Sequence, residues 1–110
     1  MDARTVDQAQ LLKGVLDLAV LVVLRRGDNY GYDIVRQLQD VQLGDVAEVS
    51  VYGTLRRLYR DGLVSSYVRP SESGPPRKYY GVTADGHTYV TSALEQWTRF
   101  TTAMSDLITT

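Results

Sequence analysis

The sequence predicts a mainly helical chain carrying one β-hairpin, an α+β fold. Apolar residues recur at helical spacing from the N-terminal region to about Asp61, and again after Thr83. Between them, Leu63 to Val82 holds β-branched and aromatic runs on either side of a Pro-, Ser- and Gly-rich segment.

The first element is predicted over Gln8–Arg26. Its centre, Leu16 to Leu24, is apolar nearly all round apart from Asp17, and a helix apolar on every side is covered on every side. Either other elements wrap it or a second subunit does. Gly27-Asp28-Asn29 reads as a turn, with Gly27 at a helix C-terminus and Asn29 as an N-cap. A second helix follows over Tyr30–Val41, with Ile34, Val35, Leu38 and Val41 on one face, and Leu43-Gly44-Asp45 breaks it.

A third helix is predicted over Val46–Asp61. Asp45 and Glu48 have capping-box spacing, and Gly62 stands where a C-terminal glycine belongs. Val51, Leu55 and Leu58 share one side, while Gly53, Arg56, Arg57 and Arg60 occupy the other. Three arginines on one outer face exceed what solubility requires, and the small Gly53 lets a flat partner approach the backbone. Tyr52 and Tyr59 share a flank and read as packing residues.

Leu63–Arg69 and Arg77–Val82 are the predicted strands of the hairpin, with Pro70–Pro76 as its loop. Tyr79 and Tyr80 alternate faces, so one of them belongs to the core. The last helix starts behind Thr83 as N-cap and runs nearly to the end. Val90, Leu94, Trp97, Thr101, Met104 and Ile108 follow one another at alternating intervals of four and three, the pattern of a helix seam, and Ala93, Phe100 and Leu107 widen it. No further chain follows to cover this stripe, which implies pairing with a second subunit.

Composition narrows the function. The 110 residues, 44% hydrophobic and 23% charged, suit one globular domain with a modest core. There is no Cys, and His87, the only His, reads as a surface residue without a role. Thiolate and His-cluster metal sites, Cys nucleophiles and disulfides are thereby excluded, and no Gly-rich phosphate loop is present. Neither enzyme nor cofactor is expected. Met1–Gln10 is polar with no basic leader, and the most apolar stretch, Val15 to Leu24, is too short to cross a bilayer. A cytoplasmic protein with no membrane partner is expected.

Charge is unevenly spread. Ser50–Tyr80 holds Arg56, Arg57, Arg60, Arg69, Arg77 and Lys78 against Asp61 and Glu72, a net +4, and the remainder carries −5 within a total of −1. A basic middle on an acidic body suggests one face with a polyanionic partner. Three helices followed by a hairpin form the winged helix-turn-helix order, and the basic segment is the third helix plus the wing.

Leu24-Arg25-Arg26-Gly27-Asp28-Asn29-Tyr30-Gly31-Tyr32-Asp33-Ile34 resembles the opening of helix two in PadR-type transcriptional regulators. Val51-Tyr52, Leu55-Arg56-Arg57-Leu58 and Asp61-Gly62-Leu63 resemble that family's recognition helix. Gly74-Pro75-Pro76-Arg77-Lys78-Tyr79-Tyr80, with Val82-Thr83 and Gly86, resembles its wing and the start of its last helix. The likeness spans about residues 11–110, and the single C-terminal helix resembles the short subgroup with its multidrug-sensing members. Ser50 and Gly53 depart from the residues usual in the family, and Thr101 stands where the multidrug-sensing members carry an acid.

The resemblance implies a homodimeric regulator, a repressor, bound to a palindromic operator in double-stranded DNA. Residues 8–82 form the DNA-binding part and 83–110 the dimerisation helix. DNA contacts are expected from Ser50, Tyr52, Gly53, Thr54, Arg56, Arg57, Arg60, Arg69, Arg77 and Lys78. In the multidrug-sensing members, planar aromatic compounds enter an apolar channel between subunits. The corresponding residues are Leu18, Val22, Val90, Ala93, Leu94, Trp97 and Thr101, with Leu18, Leu94, Trp97, Met104 and Ile108 in the dimer interface. The alternative is a winged-helix protein-interaction module that reads no DNA sequence.

Overall fold

The computed structural model describes residues 11–43 and 46–110. Helix α1 spans Leu16–Arg25, strand β1 Asn29–Tyr30, α2 Gly31–Asp40 and α3 Glu48–Arg60. Strands β2, Val64–Ser71, and β3, Gly74–Val82, form the hairpin, and α4 spans Ala84–Thr109.

The first helix is shorter than its apolar pattern suggested. Leu11 and Leu12 are helical, but Lys13 to Val15 form a turn in which the Val15 amide donates to the Leu12 carbonyl at 2.9 Å. Gly14 lies in this turn, where its low helix propensity favours a break. Residues 8–10 of the expected helix lie outside the described residues. Within α1, Leu16, Val20, Leu21, Val23 and Leu24 are buried, and Leu18, Ala19 and Val22 are half-buried.

Helix α2 buries Gly31, Ile34, Val35 and Leu38. Val41 falls at its C-cap and is exposed, so it leaves the predicted face. Asn29 is not the N-cap: it belongs to β1, Tyr30 holds the cap position, and the Asn29 side chain accepts from the Tyr30 amide at 2.9 Å. The glycine at the start of α2 is forced by its neighbour, because a Cβ there would sit 2.2 Å from the Tyr52 ring of α3.

Helix α3 buries Val51, Thr54, Leu55 and Leu58. Its N-cap is Ala47, with no side-chain cap, and the Asp45 of the expected capping box lies outside the described residues. Its C-terminus closes as a Schellman motif: Leu63 donates to the Leu58 carbonyl at 2.9 Å, Gly62 to that of Tyr59 at 3.1 Å, and Gly62 adopts φ +78°.

The hairpin strands run further than expected. Ser71 pairs with Gly74 across a turn at Glu72-Ser73, so Pro70, Pro75 and Pro76 lie within strands. A register shift between Arg69 and Ser71 absorbs the prolines, which supply no ladder amide and are tolerated at such bulges. β1 adds a third strand, in the order β1-β3-β2, through Asn29 opposite Tyr80 and Tyr30 opposite Tyr79.

Helix α4 begins at the expected N-cap, with the Thr83 side chain accepting from the Gly86 amide at 3.0 Å. It buries Gly86 and Val90, and from Glu95 onward only Thr101 is even half-buried. At 1.5 Å per residue the uncovered portion projects about 20 Å. The core thus lies where α1, α2 and α3 meet the base of the sheet and the first turns of α4.

Candidate nucleic-acid interface

The inner side of α3 is set by Val51, Thr54, Leu55 and Leu58, and its opposite side carries Val49, Gly53, Arg56 and Arg60. Ser50, Arg56 and Arg60 are exposed, and Gly53 is half-buried. Thr54 is buried at 3% exposure on the core side, which corrects its placement among the DNA contacts. Tyr52 lies on the flank against Gly31, and its phenol pKa is raised, chiefly by burial and then by the charge of Glu48.

Arg57 is rotated from the outer face toward α1, where its guanidinium forms an ion pair with Asp17. Arg60 pairs through Nε with the adjacent Asp61 at 3.3 Å. Among the described residues no ion pair involves Arg56.

The wing cations do not form one cluster. Arg69 and Arg77 are cross-strand partners, and their guanidiniums lie over Tyr79 at 4.9 Å and Tyr30 at 4.5 Å. Tyr30, Tyr79 and Tyr67 sit at paired positions across the three strands, with ring centroids 5.4 and 5.9 Å apart. Lys78 belongs to the other face of β3, with its ammonium 5.7 Å from the Tyr80 ring and 6.0 Å from the Tyr59 ring of α3. Tyr80 is the buried member of the Tyr79–Tyr80 pair, as alternation requires. The Tyr67 hydroxyl donates to Asp28 at 2.6 Å, and this bond to a carboxylate raises its pKa.

On α2, Asp33 accepts from Asn29 at 2.6 Å and from Gln37 at 2.9 Å, and these bonds hold its carboxyl below the usual aspartate range.

A groove of about 960 Å³ separates α1 from α4, lined among others by Asp17, Leu18, Arg57, Ala93, Trp97 and Phe100. A second recess of about 260 Å³ lies where Leu18, Val22, Leu38, Leu94 and Trp97 converge. Leu18 and Trp97 therefore face both, Ala93 the first, and Val22 and Leu94 the second. Val90 is fully buried beneath them and lines neither, which corrects its assignment as a ligand contact. Thr101 also lines neither, and its hydroxyl donates to the Trp97 carbonyl at 3.0 Å.

Asp17, an acid near the expected channel, lines the groove, as do Tyr89 and Phe100, which were not among the expected channel residues. The signal for Asp17 was its interruption of an otherwise apolar run. Trp97, Phe100, Met104, Leu107 and Ile108 all remain exposed along α4.

Among the described residues no group of His, Cys, Asp or Glu is placed to hold a metal ion, and no helix is long and apolar enough to cross a membrane. Three helices, a three-stranded winged sheet and an outward arginine face on the third helix define a winged helix-turn-helix protein. Residues 20–92 match the model of the PadR-like transcriptional regulator family, and the chain belongs to that family.

A PadR-like transcriptional regulator from Bacillus cereus is similar in structure, with TM-score 0.81 and 30% identity over 90% of this chain and 96% of its own. A PadR family regulator from Eggerthella lenta gives TM-score 0.81 and 31% identity over 91% and 87%. An uncharacterised protein of Lysinibacillus sphaericus is 25% identical over 92 residues, 82% of this chain and 84% of its own length.

Proposed function

We propose that this PadR-family regulator is a homodimeric, cytoplasmic DNA-binding repressor. In this reading α3 enters the major groove of each half of a palindromic operator, with Arg56 and Arg60 outward, Arg57 on the flank toward α1, and Ser50 and Gly53 at its approach. Arg69, Arg77 and Lys78 of the wing hold phosphates or the minor groove, contacts that position the protein rather than specify sequence. Residues 8–82 are the DNA-binding part, and residues 83–110 pair the subunits through Leu94, Trp97, Met104 and Ile108, together with Leu18 of α1. A planar aromatic compound between the two Trp97 side chains then spreads the subunits and relieves repression.

The observation that carries this reading is the separation of two surfaces. The exposed arginines of α3 lie on one, and the uncovered apolar stripe of α4 makes the other. A monomer has no use for a row of exposed Trp97, Phe100, Met104 and Leu107, whereas a dimer buries it.

The test is an electrophoretic shift on mixed-sequence duplex at low ionic strength, followed by titration with salt. A retarded complex that dissociates steeply as salt rises supports the reading, because released counterions set that slope. Absence of any complex at low salt favours the protein-interaction module instead.

A further inference from the structure

Of the three arginines on α3, Arg57 alone is tied to a different helix. Arg60 pairs with the neighbouring Asp61 and so moves with its own helix end. Arg57 crosses to Asp17 on α1, forty positions away in sequence. Both side chains remain accessible, 43% for Arg57 and 37% for Asp17, so water and other ions reach the pair. Both also line the groove that holds Trp97. Asp17 is the polar interruption in an otherwise apolar α1, and this pairing gives it a partner.

Arg57 lies one turn beyond Gly53 and two beyond Ser50, on the flank between the outer face and α1. A change of side-chain rotamer therefore carries a long, flexible guanidinium from Asp17 toward the outer face. An exposed ion pair is weak enough to be exchanged for another anion, and a phosphate accepts an arginine with equivalent geometry.

We propose that Arg57 is a shared arm, paired with Asp17 in the free protein and transferred to a backbone phosphate on DNA binding, so that Asp17 restrains DNA affinity from the groove side. This rests on the reading of α3 as the DNA-facing helix. It also fixes the sign of any effect exerted at the groove. A bound group that occupies Asp17 releases Arg57 and tightens DNA binding, and one that occupies Arg57 withdraws it and loosens binding. The recognition helix thereby reads the charge of the groove's occupant through one side chain, without any movement of the backbone.

The test is a double-mutant cycle, read by fluorescence anisotropy on a labelled mixed-sequence duplex at low ionic strength. Melting curves establish that each variant is folded. Asp17→Asn is expected to tighten binding about two- to fivefold, the range an exposed ion pair sustains. Arg57→Ala is expected to loosen binding and to lower the salt slope by about one. The double variant should match Arg57→Ala, because Asp17 acts only through Arg57.

Equal tightening by Asp17→Asn in both backgrounds would overturn the proposal, since it would reflect long-range charge alone. Weaker binding by Asp17→Asn would overturn it too, since the pair would then be a brace that positions α3. Arg56→Ala and Arg60→Ala, which do not touch Asp17, report on the DNA-facing helix separately. If they weaken binding while the cycle shows no coupling, only the shared arm is wrong. If neither weakens binding, the assignment of α3 fails and the shared arm fails with it.

Discussion

The Thr83 hydroxyl donates to the Gly62 carbonyl at 2.7 Å, joining the first residue before α4 to the glycine that ends α3. The Thr83 amide adds a bond to the Leu63 carbonyl at 3.1 Å, and the same hydroxyl oxygen caps α4 through the Gly86 amide. The end of α3 and the start of the C-terminal helix are therefore fixed to one another over a short span. A Cβ on Gly86 would meet the Leu63 carbonyl oxygen at 2.1 Å, which leaves no room for any other residue.

This joint gives the first prediction. Thr83→Ala removes a helix cap and a bond to α3, and should lower stability by about 1–2 kcal/mol. Gly86→Ala must displace backbone, and should cost about 1–3 kcal/mol or more. Urea melts of both variants check the values, and a Gly86→Ala protein as stable as the wild type would show that the two helices are not in contact there.

A second prediction concerns Asp33. Hydrogen bonds from Asn29 and Gln37 depress its pKa in the folded chain. The group therefore adds stability above the ordinary aspartate range, and that contribution is lost as pH falls through the lower folded value. Asp33→Asn should flatten the acid limb of the stability profile and leave its slope near neutrality unchanged. Paired urea melts from neutral to acidic pH measure this.

Arg60 is exposed on the outer side of α3 and pairs with the adjacent, likewise exposed Asp61. Arg60→Ala should keep the wild-type melting temperature while weakening DNA binding. Loss of a phosphate contact lowers the salt slope by about one. Loss of a base contact costs about 1–3 kcal/mol at one position of the site. Affinity measured against salt on a series of single-base variants separates the two.

The apolar stripe of α4 yields a fourth expectation. Met104 is 41% exposed in the single chain and is proposed to be covered by the partner subunit. Met104→Asp puts an unpaired charge into that seam, a change that costs about 3–5 kcal/mol in a dry site. Sedimentation should then show a dimer for the wild type and a monomer or unfolded chain for the variant.

Trp97 is the only tryptophan, so its emission reports the groove directly. Titration with planar aromatic dyes should quench it, and the same dyes should shift the protein off DNA. A typical coupling of about 1–3 kcal/mol makes this a loss of affinity of roughly five- to 150-fold. Emission unaffected by a broad panel would make Trp97 an interface residue only.

The sequence revealed features that depend on local chemistry. The glycine with positive φ at 62, the cap at Thr83 and the alternation at Tyr79 and Tyr80 each need only a few adjacent residues. Features that depend on a distant partner were hidden. Asn29 and Tyr30 form a strand because β3 lies beside them, and two residues carry no period of their own. Gly31 is explained by a tyrosine on another helix. The prolines of the wing read as loop because they break strands in general, yet at its tip a bulge accommodates them. Arg57 shares a helix side with Arg56 and Arg60 in the linear pattern, and only the position of Asp17 on α1 distinguishes it.

In the proposed dimer, two copies of α3 read one piece of DNA. The most direct measurement is a hydroxyl-radical footprint on the DNA upstream of the protein's own gene, with wild type and Arg60→Ala side by side. Two dyad-related protected half-sites are expected, their centres about 34–36 Å, or a multiple of that, apart, and both should fade in the variant. A single protected patch without a dyad mate, or protection that is equally strong in Arg60→Ala, would contradict this reading.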